Sequence, residues 1–145
     1  MKHYDEKQFP LTDSIGFLIN RVRNDLNAEM DSALKDFGLT VQQMAILLAL
    51  EAGLAATPFE LAKLSGADSG LMTRLLDKLE RRSLIERARS VEDRRVVNLT
   101  VTPHGKEVAA CLPGIIAGVL NARLRDFSEQ EFTEMRRLLR KFLGN

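Results

Sequence analysis

Between Arg82 and Thr102 the apolar residues stop recurring every three or four positions and begin to alternate, and this change follows two short, well-capped helices. The segments Leu84-Ile85-Glu86-Arg87-Ala88-Arg89 and Arg95-Val96-Val97-Asn98-Leu99-Thr100-Val101 are rich in branched residues, with polar Ser90 to Arg94 between them. Such a pattern predicts a β-hairpin with a long loop. Upstream, Thr40-Val41-Gln42-Gln43 is a capping box that starts a helix ending near Gly53. Thr57-Pro58-Phe59-Glu60 is another, with proline at the first helical position, and its short helix stops at Gly66. A further helix starts at Asp68 or Ser69 and runs to about Arg82, its Leu71, Met72, Leu75, Leu76 and Leu79 falling within roughly 140° at about 100° per residue. Helix, tight glycine turn, helix and then a charged hairpin together define a winged helix-turn-helix, a mainly α fold with a small β wing.

Longer helices flank this unit. After Thr12-Asp13-Ser14 an oily stripe of Ile15, Ile19, Val22, Leu26, Met30, Leu34 and Phe37 predicts one long helix reaching Gly38. Thr102-Pro103 restarts helix, with Pro113-Gly114 expected to bend or break it, and Ser128-Glu129-Gln130-Glu131 caps a last helix carrying Phe132, Met135, Leu138, Leu139 and Phe142. These oily end helices need a partner. The expected organisation is a single domain over 1–145, with a winged-helix lobe over about 40–101 and a helical dimerisation region over about 12–37 and 102–143.

The outward face of the helix after the turn carries Ser69, Gly70, Thr73, Arg74, Asp77 and Arg81. Hydroxyls, an unshielded backbone at Gly70 and an arginine suit the major groove, where arginine reads guanine through two parallel bonds at about 1–3 kcal/mol of discrimination. From Arg81 to Arg95 there are six arginines against three acids. Guanidinium groups fit phosphate forks and the negative potential of a narrow minor groove. Within the loop Asp93 can bond and orient a neighbouring guanidinium, leaving an arginine for the groove.

In order along the chain, Thr40 to Leu47, Glu60-Leu61-Ala62, Met72-Thr73-Arg74-Leu75-Leu76-Asp77-Lys78-Leu79-Glu80, Leu84-Ile85-Glu86-Arg87, Asp93-Arg94-Arg95 and Thr102-Pro103-His104-Gly105 closely resemble the MarR family of bacterial transcriptional regulators. The likeness covers about residues 12–143, and its most specific pieces are the Thr73 to Glu80 helix and the Asp93-Arg94-Arg95 wing. The resemblance implies a homodimer whose first and last helices form the interface. It further implies a pseudo-palindromic double-stranded DNA operator, usually repressed, and release by small phenolic or aromatic-acid ligands or, in one branch, by cysteine oxidation. Carried over by position, Ser69, Gly70, Thr73 and Arg74 fall at the major groove and Arg94 or Arg95 at the minor groove. Thr57 and Lys78 are phosphate contacts in the same reading, and Arg87 on the first wing strand completes the candidate set. Asp77 is expected to pair with Arg74, Lys78 or Arg81. The chain departs from the family at Ser83, where glycine is usual, so a residue less tolerant of positive φ must end the helix. Val101 for the common leucine is conservative.

Other chemistries lack residues. There is no Gly-rich phosphate loop, serine elbow or paired histidine motif, so no enzyme is expected. His3 and His104 sit in no ligand cluster, and neither a metal nor a cofactor is expected. Cys111 is the only thiol and is expected to pack structurally; the redox branch of the family keeps its cysteine near the start of the first helix, where this chain has none. Arg21 and Arg23 on the first helix are expected to be solvated rather than to hold an effector carboxylate, and an effector pocket is expected between lobe and end helices. With no apolar stretch of bilayer length, no signal-like start and one cysteine, the expected setting is the cytoplasm. The competing reading is a winged-helix ligand sink or protein adaptor that does not bind DNA, against which the arginine wing argues. Net charge is +1, but residues 1–56 carry 5 basic and 8 acidic groups whereas residues 57–105 carry 9 and 7. Near-neutrality thus averages an acidic front over a basic surface, and modest affinity for random DNA is expected.

Overall fold

A computed structural model describes residues 1–144; Asn145, the end of the expected domain, lies outside the described residues. Among the described residues six α-helices and one hairpin follow in order: α1 (Ile15–Ala33), α2 (Val41–Glu51), α3 (Pro58–Ser65), α4 (Ser69–Arg81), β1 (Ile85–Arg89), β2 (Val97–Val101), α5 (Pro103–Arg123) and α6 (Glu129–Phe142). All three capping boxes form in full: at Thr40, Thr57 and Ser128 the hydroxyl accepts the N3 amide while the N3 Gln or Glu side chain accepts the cap amide. Each fixes where a helix begins, and so where the next element can point.

The lobe is built around one core. Leu47 of α2, Leu61 of α3, Met72, Leu76 and Leu79 of α4, Leu84 and Ile85 at the start of the hairpin, and Leu34 and Leu112 from the flanks are fully buried. The strands pair antiparallel, Ile85 opposite Val101 and Arg89 opposite Val97, and Leu99 donates its amide to the Ala56 carbonyl at 2.8 Å, tying the wing to the segment before α3. Because the strands alternate, Leu99 is buried while Asn98 and Thr100 face outward.

Two expectations for the flanking helices need correction. The first helix ends at Ala33 rather than at Gly38; a 3-10 turn over Lys35–Phe37 finishes the segment, and the guanidinium of Arg82 donates to the Phe37 and Gly38 carbonyls that the tightened end leaves free. Pro113 does not break α5, which runs unbroken from Pro103 to Arg123. Proline removes one backbone donor at a cost of about 3 kcal/mol, but Ala109 and Leu112 before it are buried and Ile115, Ile116 and Val119 after it pack on the core. That packing holds both halves in line. An ion pair of Arg123 with Glu29, at 2.7 and 2.9 Å, fastens α5 to α1, lowering the Glu29 pKa and raising that of Arg123.

The end helices keep their oily faces outside. Met30 is the only buried residue of α1, and α6 has none, so Ile15, Ile19, Val22, Met135, Leu138, Leu139 and Phe142 are exposed. The N-terminal segment reaches the same region, where the Tyr4 hydroxyl accepts the Ile15 amide at 2.8 Å.

Candidate nucleic-acid interface

The turn between α3 and α4 is made by Gly66 at φ 69°, a left-handed conformation that glycine adopts without steric cost, and its amide bonds back to the Ala62 carbonyl. Asp68 then caps α4, its Oδ1 accepting the Leu71 amide at 2.9 Å. These two residues set the angle at which α4 leaves α3. The leucines of α4 face the core, which leaves Ser69, Gly70, Thr73, Arg74 and Lys78 exposed on the other side.

The chemistry of that face is specific. Arg74 and Lys78 have no hydrogen-bond or ion-pair partner among the described residues, so their donors are available. The Thr73 hydroxyl donates to the Ser69 carbonyl at 2.9 Å, so in this rotamer it faces outward as an acceptor with its methyl alongside. Thr57 is half-buried; its hydroxyl accepts the Glu60 amide at 3.2 Å and keeps its own proton to offer an anion. Arg81 is partly engaged, its Nε donating to the Asp77 carbonyl at 3.3 Å.

At the wing tip the chain reverses through hydrogen bonds from Ser90 to the Val96 carbonyl and from Val96 to the Asp93 carbonyl, both 2.9 Å. Asp93 accepts the Arg95 amide at 3.0 Å and the Arg95 Nε at 3.2 Å. Those bonds, with the backbone one foremost, hold the Asp93 carboxyl below the usual Asp range. Arg95 is thereby tethered, while Arg94 next to it is exposed and has no partner among the described residues. Of the expected arrangement at the tip, the geometry contains the arginine oriented by Asp93, which is Arg95, and leaves Arg94 exposed beside it.

Three side chains differ from their expected places. Arg87 is not turned outward: its Nη1 donates to Asp77 at 2.7 Å and to Glu80 at 2.8 Å. Asp77 therefore pairs with Arg87 and not with Arg74, Lys78 or Arg81. Cys111 is exposed instead of packed, its thiol directed at the Glu107 carbonyl. Sequence reasoning also missed Arg82, which joins the end of α4 to the end of the α1 segment. The signal for Arg87 was present, since acids at 77 and 80 share a helix face just before a strand arginine. Nothing local announces the bonds of Arg82, whose partners are 44 and 45 residues away.

Beside this surface a cleft of about 550 Å³ opens between α2, α3 and α4, with Asn27 of α1 at its edge. Among the described residues no group of three or more His, Cys, Asp or Glu side chains is placed to hold a metal, and no helix is long and apolar enough to cross a membrane.

Residues 39–97 match the sequence profile of the MarR family. The chain is 28% identical to the transcriptional regulator SarZ of Staphylococcus saprophyticus over 140 residues, 97% of this chain and 94% of that one. It is 26% identical to the multiple antibiotic resistance protein MarR of Escherichia coli K12, over 89% of this chain and 90% of the other. The structure superimposes on Staphylococcus aureus MepR from its complex with DNA with a TM-score of 0.82 at 25% identity, covering 90% of this chain and 97% of MepR. Winged-helix lobe and flanking helices are thus aligned together.

Proposed function

We propose that the chain is a DNA-binding transcriptional regulator of the MarR family. The observation that carries the proposal is that Arg74 on α4 and Arg94 on the wing are both exposed and without a partner among the described residues, on a scaffold that also aligns with MepR in a DNA complex. In this reading Ser69, Gly70, Thr73 and Arg74 meet base edges in the major groove, Thr57 and Lys78 hold phosphates, and Arg94 with Arg95 enters the minor groove.

The exposed apolar faces of α1 and α6 support a homodimer, since an oily surface of that extent is stable in water only when covered. Two copies related by a two-fold axis would present α4 to successive major grooves about one helical turn apart, which demands a pseudo-palindromic operator. Bound across a promoter, such a dimer represses by occlusion. Release by a small ligand is the finer part of the proposal. The cleft beside α4 is lined by apolar residues with Asn27, Gln42, Ser65 and Asp68 and by no lysine or arginine, so it favours a neutral phenolic compound over an aromatic acid. A ligand there acts if it binds the DNA-competent arrangement less tightly than another.

The test is fluorescence anisotropy of the purified protein on DNA from upstream of its own gene, with random duplex as competitor and salt varied. The upstream DNA should bind about a thousandfold more tightly than random sequence. Arg74→Ala should reduce that ratio by about tenfold or more, whereas Arg94→Ala with Arg95→Ala should weaken both duplexes and flatten the salt dependence. Equal affinity for upstream and random DNA contradicts the proposal.

A further inference from the structure

Arg87 stands in the middle of β1, opposite the buried Leu99, with its side chain about a quarter exposed. One nitrogen, Nη1, bridges two carboxylates of α4: Asp77 at 2.7 Å and Glu80 at 2.8 Å. Among the described residues these are the only ion pairs between α4 and the hairpin. Asp77 lies on the side of α4 that carries Arg74, Lys78 and Arg81, so without Arg87 its carboxylate would lose its ion-pair partner and add repulsion toward a polyanion. The hairpin is joined to α4 at its root, where the Leu84 amide bonds to the Leu79 carbonyl at 3.0 Å, but beyond the root the strand hydrogen bonds run only between β1 and β2 and to Ala56, which leaves Arg87 as the polar tie farther along the wing.

We propose that Arg87 is a positioning residue for DNA recognition: it latches the wing to α4 through Asp77 and Glu80 and masks both carboxylates, and it does not itself touch DNA. The inference rests on the DNA-binding reading above. Its consequence is that α4 and the wing keep one relative placement, so that major-groove and minor-groove contacts are made in one register. Both Nη1 protons are taken by the carboxylates, so a direct phosphate contact would fall to Nη2 or Nε of a side chain that is only about a quarter exposed. As a latch, Arg87 has no function once the acids are gone.

That difference sets up a mutational cycle. The probe is a duplex enriched from a random pool by the unaltered protein, compared with an unenriched duplex of equal length, both titrated with salt below the thermal unfolding transition of every variant. In the unaltered background Arg87→Ala should lower affinity for the enriched duplex by about tenfold, and more than it lowers affinity for the other duplex. In a background carrying Asp77→Asn and Glu80→Gln, the same Arg87→Ala change should cost less than about twofold and leave the salt slope unchanged. If that double background does not fold, Asp77→Asn alone should shrink the cost of Arg87→Ala in the same direction. The inference is overturned if Arg87→Ala is silent, or if it costs the same in both backgrounds and lowers the salt slope by about one per subunit, as loss of a phosphate contact would. Failure of the unaltered protein to enrich any duplex would instead overturn the DNA-binding reading itself.

Discussion

Ser83 ends α4 at φ 56°, the only non-glycine residue of positive φ among the described residues. Its amide bonds to the Glu80 carbonyl at 2.8 Å, and the Leu84 amide bonds to the Leu79 carbonyl at 3.0 Å. This paired closure turns the chain out of the helix and straight into the hairpin, and it normally uses glycine because a Cβ is strained there. Ser83→Gly should therefore stabilise the fold by about 0.5–1 kcal/mol, read as a higher denaturant midpoint with an unchanged slope. The loss of midpoint expected of a flexible surface position would contradict it. Gly105 presents the opposite case. A Cβ there would overlap the Leu84 carbonyl oxygen and lie 2.7 Å from a Val101 methyl, because the start of α5 sits directly on the hairpin root. Gly105→Ala should cost about 3 kcal/mol or more, visible as a fall in the thermal midpoint, since the clash is with backbone that Thr102 holds in place through its bonds to Leu84 and Ser83.

At α4 and the wing, sequence and structure agree where the cause is local. Thr40, Thr57 and Ser128 announce their helices because a capping box is satisfied within four residues, and the change of apolar repeat at Leu84 announces the hairpin. The outward placement of Ser69, Thr73 and Arg74 was legible for the same reason, as the leucines of α4 define the opposite face. Arg82 and the continuity of α5 were not, and Arg87 was signalled only by the acids at 77 and 80 on one helix face. Each depends on a partner brought close only by the fold: Asp77 and Glu80 for Arg87, the Phe37 and Gly38 carbonyls for Arg82, and the core beneath Leu112 for Pro113. The six arginines of the 81–95 stretch, alike in sequence, are therefore unlike in role. Arg82 and Arg87 hold elements together, Asp93 tethers Arg95, and Arg94 is left open, so Arg94→Ala should weaken DNA binding more than Arg89→Ala in the same anisotropy assay. The reverse order would place the minor-groove contact on the strand instead of the tip.

For the molecule as a whole, the acidic front and the basic middle of the chain belong to different parts of the fold. The charges that reach outward from α4 and the wing tip form the proposed reading surface, while α1 and α6 contribute the exposed apolar face. A second copy covering that face predicts that Leu139→Glu, which places a charge among Ile15, Ile19, Met135 and Phe142, shifts the protein from dimer to monomer in a sedimentation experiment at micromolar concentration. An unaltered protein that sediments as a monomer would contradict the two-fold arrangement and, with it, the spacing of the two α4 helices. The most direct measurement of the central claim is selection of binding sites from a random duplex pool by the full chain, followed by sequencing. A winged-helix dimer predicts an enriched pseudo-palindrome with half-site centres about one helical turn apart, lost when the selection is repeated with Arg74→Ala. No enrichment over the starting pool, or an isolated half-site without its symmetric mate, would contradict it.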